Sequence, residues 1–139
     1  MADAPATTDD PLAGGKYPLS IFIVDDDPGA LSSLRFMLES EGYAVAEFSS
    51  GLDVLARSVD SRPSCVIVDY KMPIMNGIDV FRRLRELYPD LPIILITGHP
   101  DPMIRHAANR AGLKLIEKPL SQDELLAAIG TVWAAEPAP

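Results

Sequence analysis

Five short apolar runs, each followed at once by polar side chains and separated from the next by a helical pattern, constrain this chain most. They cover residues 19–24, 44–48, 65–68, 92–96 and, more weakly, 114–116. Three are rich in Val or Ile, as expected of strands covered on both faces. Between them, apolar residues recur with the helical period. Ala30, Leu31, Leu34, Met37 and Leu38 share one face, as do Ile78, Phe81, Leu84 and Tyr88. The same spacing returns in Met103, Ala107, Ala108 and Ala111, and in Leu125, Ile129, Val132 and Trp133, with a shorter candidate at 51–58.

The punctuation agrees with this division. Asp27 before Pro28 reads as a helix N-cap followed by proline at the first helical position, where a missing N–H does no harm. Ser121 with Glu124 three residues on has the form of a capping box. Gly42 and Gly112 follow helical stretches and suit a left-handed closing residue. Five strands alternating with five helices predict an α/β domain, a doubly wound parallel sheet with helices on both faces. Its bounds fall at 19–133, with a disordered lead-in at 1–18 and a flexible tail at 134–139. No internal repeat is visible.

Composition narrows the function classes. The net charge of −8 over 139 residues offers no basic face for direct nucleic-acid binding and would repel anionic lipid. No apolar run reaches the ~18–20 residues needed to cross a bilayer. The first 18 residues lack the basic and hydrophobic regions of a secretory signal. The one cysteine, Cys65, lies in an apolar run, so an intramolecular disulfide is excluded and a reducing compartment is expected. The cytoplasm is therefore the expected location.

In such a sheet, ligands sit at the carboxyl ends of the strands, near the point where strand order reverses. The residues that follow the predicted strands are Asp25, Asp26 and Asp27, then Asp69, Thr97 and Lys118. Three carboxylates, Asp25, Asp26 and Asp69, meeting at one edge call for a cation or a proton. Mg²⁺ answers that need, since it prefers oxygen ligands and is held by one or two carboxylates, backbone oxygens and water. Asp69 then keeps an oxygen free as a nucleophile, Lys118 supplies a mobile positive charge and Thr97 a hydroxyl donor. Phosphoryl transfer asks for this kind of alignment and charge stabilisation, and aspartyl phosphate is a recognised covalent intermediate. Taken singly, each residue has a plainer role: Asp27 as a cap, Asp69 as a turn residue, Thr97 as a strand-end hydroxyl, Lys118 as a surface lysine. Their joint placement at one edge favours the chemical reading.

The segments IFIVDDDPGALSSL, CVIVDYKMPIMNGIDVFRRL, IILITGH and LIEKPLSQDEL resemble the receiver domains of two-component response regulators. The match runs over roughly residues 19–133, and the wording is most similar to receivers of LuxR-type nitrogen-fixation regulators. The resemblance implies a flavodoxin-like (βα)5 fold with strand order 2-1-3-4-5. It implies Asp69 as phosphoacceptor, with Mg²⁺ contacted by Asp26, Asp69 and the main-chain carbonyl of Lys71, and by Asp25 through water. It further implies a cis Lys118–Pro119 bond. The donor would be a phosphohistidine on a sensor histidine kinase or a histidine phosphotransfer protein. The chain would not be an enzyme beyond its own phosphorylation and dephosphorylation. Output would pass to a downstream protein or a homodimer through the fourth helix, fifth strand and fifth helix, a surface offering Arg105, His106, Arg110, Lys114 and Gln122.

One position departs from the family. An aromatic residue usually stands three places before the lysine; here it is Leu115, in a segment one residue shorter than usual. The expected switch therefore runs through Thr97 and the loop at 98–102, with Leu115 at most a packing element. Lys71 and His99 occupy positions that flank the path of the hydrolytic water in this family, while Cys65, His106, Tyr70 and Trp133 read as structural. The rival readings are an unphosphorylated receiver-like interaction module, an aspartyl phosphohydrolase and a flavodoxin. The hydrolase wants D-x-D followed by a threonine after the first strand, where DDDPG stands and the best nucleophile candidate follows the third strand. The flavodoxin wants a Ser/Thr/Gly-rich phosphate loop that does not follow the first strand.

Overall fold

The computed structural model describes residues 20–98 and 101–134, the side chains of 132–134 excepted. The lead-in, the tail beyond Ala134, His99 and the Trp133 side chain thus lie outside the described residues. Strands and helices alternate throughout: β1 (Ser20–Val24), α1 (Pro28–Glu39), β2 (Ala44–Phe48), α2 (Gly51–Asp60), β3 (Cys65–Asp69), α3 (Gly77–Leu87), β4 (Ile93–Thr97), α4 (Pro102–Ala111), β5 (Lys114–Glu117) and α5 (Gln122–Ala134). All strand pairings are parallel, in the order β2-β1-β3-β4-β5.

Strand residues alternate between two cores, as a period of two requires. Phe22, Val24, Val66, Val68, Ile93 and Leu95 face α2, α3 and α4. Ile21, Ile23, Cys65, Ile67, Ile94 and Ile96 face α1 and α5. Burial on both faces explains why β3 and β4 read as unbroken apolar runs. Both runs end one residue later than expected, so Asp69 and Thr97 are the last residues of their strands.

Helix boundaries follow local chemistry. Asp27 caps α1 by accepting from the Gly29 N–H at 3.0 Å, with Pro28 opening the helix. The Ser121 hydroxyl accepts from the Glu124 N–H at 3.1 Å, and Gly42 and Gly112 are left-handed with φ of 93° and 68°. A capping box not foreseen above starts α3, where Asn76 and Asp79 each accept from the other's backbone N–H. The expected inner face of α4 is corrected by one position. Ile104 and Ala108, spaced i,i+4, enter the core, while Met103 is 81% exposed. Both residues are apolar, so spacing alone did not separate them.

The loop from Asp69 to α3 is tightly constrained. The Gly77 N–H donates to the Tyr70 carbonyl at 2.8 Å, folding the loop back on the strand end. A Cβ on Gly77 would lie 2.5 Å from the Leu95 Cδ1 and 2.7 Å from the Asp69 carbonyl oxygen. The same loop holds Ile74 at φ 70°, a left-handed conformation costly for a β-branched residue, with the Met75 N–H donating to the Pro73 carbonyl across it. Two substitutions in this loop have opposite expected effects. Gly77→Ala costs about 1–3 kcal/mol through overpacking against backbone, whereas Ile74→Gly is neutral or stabilising by up to about 1 kcal/mol. Urea unfolding of the two variants checks both.

Candidate functional site

Strand register carries the site residues to one place. Val24 pairs with Val68, which puts Asp25 beside Asp69 one step on. Asp69 pairs with Ile96, so Thr97 follows on the next strand. Thr97 pairs with Glu117, and Lys118 is the residue after it. Each functional side chain thus sits at or just past a strand end, with its backbone tied to a neighbour. The Asp25 N–H donates to the Phe48 carbonyl at 3.1 Å, the Tyr70 N–H to the Ile96 carbonyl at 2.7 Å, and the Lys118 N–H to the Thr97 carbonyl at 2.8 Å.

These residues line an open cleft of about 400 Å³ whose walls also include Asp26, Asp27, Lys71, Asp101 and Ile104. Asp25, Asp69 and Thr97 are nearly sealed from solvent, at 5%, 6% and 2% exposure, while Asp26 and Lys71 are exposed. The Lys118 ammonium lies 3.0 Å from the Asp69 carboxylate and 3.3 Å from that of Asp25. Asp25 also accepts from the Asp27 N–H at 3.0 Å. The Lys118–Pro119 peptide is cis.

The electrostatics are strained in one direction. Burial pushes the Asp69 carboxyl above the usual carboxylate range; the Lys118 hydrogen bond pulls it down, and the charges of Asp25 and Asp26 push it up again. Burial would lower the Lys118 ammonium, but its contacts with Asp69 and Asp25 outweigh that and hold it above its ordinary value. The site therefore carries more negative charge than its lysine balances.

The donor set suits a small divalent cation. Asp25, Asp26 and Asp69 each offer one oxygen, and these atoms lie within 4.8 Å of one another. Bonds of about 2.0–2.1 Å in an octahedron place neighbouring oxygens about 3 Å apart and opposite ones about 4 Å apart, so a small contraction closes the set. Lys71 lines the same cleft, two residues after Asp69.

Every site residue expected from sequence, namely Asp25, Asp26, Asp69, Lys71, Thr97 and Lys118, lines this one cleft. Of the remaining residues, Cys65 is buried, Tyr70 packs against the α2–α4 core and Leu115 is a partly buried member of that core. His106 is exposed on α4 rather than built into the core. Sequence reasoning missed Asp101 as a cleft residue. Its signal was present: Asp101 before Pro102 repeats the Asp27–Pro28 pattern of a capped helix start.

The profile of the response regulator receiver domain family matches residues 21–130, and the chain belongs to that family. The response regulator protein TodT of Pseudomonas putida is 38% identical over 131 residues, covering 85% of this chain and 58% of TodT. The transcriptional regulatory protein FixJ of Bradyrhizobium diazoefficiens is 33% identical over 120 residues, again covering 85% and 58%. Among solved structures, that of FixJ-N is similar with a TM-score of 0.78 at 34% identity, covering 87% of this chain and 98% of that one. The chain thus spans a little over half the length of these curated relatives.

Charge imbalance at the cleft has a measurable consequence. Without divalent cation, Asp69→Asn removes a carboxylate that is disfavoured in the folded state. It should raise the melting temperature by about 3–6 °C, equivalent to about 1 kcal/mol in a domain of this size. Mg²⁺ should stabilise the wild type and stabilise this variant less. Thermal unfolding in chelator and in Mg²⁺ checks both expectations.

Proposed function

We propose that the chain is a phosphoryl-accepting receiver, with Asp69 taking the phosphoryl group from a phosphohistidine in a Mg²⁺-dependent step. The observation that carries this reading is the Lys118 ammonium, 3.0 Å from one buried carboxylate and 3.3 Å from another at the floor of an open cleft. A structural ion pair needs one carboxylate. Two buried ones with a third nearby suit a site prepared for added charge and a cation.

In the forward step an Asp69 oxygen attacks phosphorus, the O–P bond forms, and the P–N bond breaks with its electron pair going to the imidazole. Asp25, Asp26, Asp69 and the Lys71 carbonyl would hold Mg²⁺, which when bound neutralises charge on the acidic set and on the phosphoryl oxygens. Lys118 moves its ammonium from the Asp69 carboxylate toward a phosphoryl oxygen, and Thr97 supplies a hydroxyl to another. Water attacking phosphorus breaks the Asp69 O–P bond, releases inorganic phosphate and returns Asp69 to the carboxylate. The chain undergoes these steps on itself and turns over no separate substrate.

Phosphorylation adds about −1.5 to −2 charges and strong acceptors. Thr97 and Lys118 gain partners in that state, which biases the loops that bear them. The surface of α4, β5 and α5 adjoins both loops and is the proposed contact for a downstream protein or a second copy. Leu115 is too short to act as a swinging aromatic, so the signal passes through Thr97 and the loop after it. No helix among the described residues is long and apolar enough to cross a membrane.

Intact mass after treatment with a small acyl phosphate and Mg²⁺ tests the proposal. The expected result is one phosphoryl adduct on the wild type, absent in Asp69→Asn and absent without Mg²⁺. Lys118→Ala should slow its formation at least tenfold. An unmodified wild type under every donor would favour an interaction module that is never phosphorylated.

A further inference from the structure

The acidic set that suits a cation leaves one cleft carboxylate out. Asp101 lines the same cleft as Asp69, Thr97 and Lys118, but it is outside the group whose oxygens lie within 4.8 Å of one another. A cation held by Asp25, Asp26 and Asp69 therefore does not take Asp101 as a ligand. Its carboxylate instead caps α4, where one oxygen accepts from the Ile104 N–H at 2.9 Å. The Asp101 carbonyl accepts from the Arg105 N–H at 3.1 Å, so side chain and backbone of this one residue organise the first turn of α4.

That turn is joined to the output surface at two further points. Ile104 is both a wall of the cleft and a core residue at 8% exposure. Arg105 is ion-paired with Glu117, the last residue of β5 and the neighbour of Lys118. Both partners are about half exposed, so the pair is weak and readily exchanged. Met103, in the same turn, presents an exposed apolar side chain.

We propose that Asp101 is a positioning residue that opposes the phosphorylated state and reports it to α4. This rests on the acceptor reading of Asp69. The incoming dianion meets a further carboxylate across the cleft, held by its cap bond to the Ile104 N–H, and repulsion between like charges favours loss of that cap. Loosening that turn frees Arg105 from Glu117 and moves Met103, which changes the α4–β5 surface with no aromatic side chain involved. The cleft charges facing Asp101 are Asp25, Asp26, Asp27 and Asp69 against Lys71 and Lys118. The device thus weakens phosphoryl retention and gives the switch its route at the same time.

Asparagine caps a helix as well as aspartate does, so Asp101→Asn removes the charge and keeps the cap. The test titrates beryllofluoride, in Mg²⁺, into the wild type, Asp101→Asn and a control, Asp60→Asn, which lies at the end of α2 away from the cleft. Asp101→Asn should bind about threefold to tenfold more tightly at low ionic strength, with the gap closing as salt rises, and the control should match the wild type. Amide exchange supplies a second reading: the Ile104 and Arg105 amides should lose protection on ligand binding in the wild type and keep it in Asp101→Asn. Asp101→Ser offers another neutral cap if the asparagine variant folds poorly. Equal affinity and equal protection in wild type and capped variants would overturn the role of Asp101 alone. A wild type that binds no beryllofluoride would overturn the acceptor reading itself, and this inference with it.

Discussion

One ammonium group holds the sheet edge together. Asp25 and Asp69 are both almost closed to water, and buried like charges side by side raise the free energy of the folded chain. Lys118 lies within 3.3 Å of both and comes from the end of the edge strand β5, two strands from β3 and three from β1. The parallel register makes this meeting possible, because β3 ends one step past β1 and β4 one step past β3, with β5 level with β4 and Lys118 the residue after it. The ammonium offsets only part of the charge, and Asp69 stays displaced toward its neutral form, with burial as the leading cause. The folded domain thus favours whatever brings positive charge to the cleft, and this property links the stability of the fold to its chemistry.

Much of this was legible in the chain. The five apolar runs are short and flanked by polar residues because each strand is buried on both faces and stops at the solvent edge. The functional residues could be read as the positions immediately after those runs. Asp25, Asp26, Asp69, Thr97 and Lys118 were found that way, and family resemblance added Lys71. The one-residue extension of β3 and β4 was not visible, since a polar residue at a strand end resembles the first residue of a loop. The buried face of α4 was misplaced by one because Met103 and Ile104 are equally apolar, and only packing against Ala108 selects between them. Asp101 escaped for a different reason. Its capping role is local, but its place in the cleft depends on where the first turn of α4 sits relative to β3 and β5, which no periodicity encodes.

Membership of the receiver family accounts for the architecture, and the departures from it are where this chain has its own physics. Leu115 contributes to the α2–α4 core as a partly buried side chain, so β5 is anchored at a point where an aromatic ring would otherwise move. In the switch proposed here the burden of transmission falls on polar contacts at the start of α4. These are individually weak, and a switch built from weak contacts needs little free energy to reset. Relatives such as TodT and FixJ are longer than this chain, and the α4–β5–α5 surface is the contact proposed for a downstream partner.

Arg35, on α1, reaches over the outer strand β2. Its guanidinium donates to the Val45 carbonyl at 3.2 Å and pairs with Glu47 at 2.9 Å and Glu39 at 3.0 Å. An outer strand with unclaimed backbone groups is a template on which another chain can add a strand. Arg35 occupies one such group and sets a cluster of charge along that rim, while the opposite rim, β5, is four residues long with charged residues at both ends. The sheet is therefore guarded against growth at both margins, and encounters between copies are directed away from strand addition.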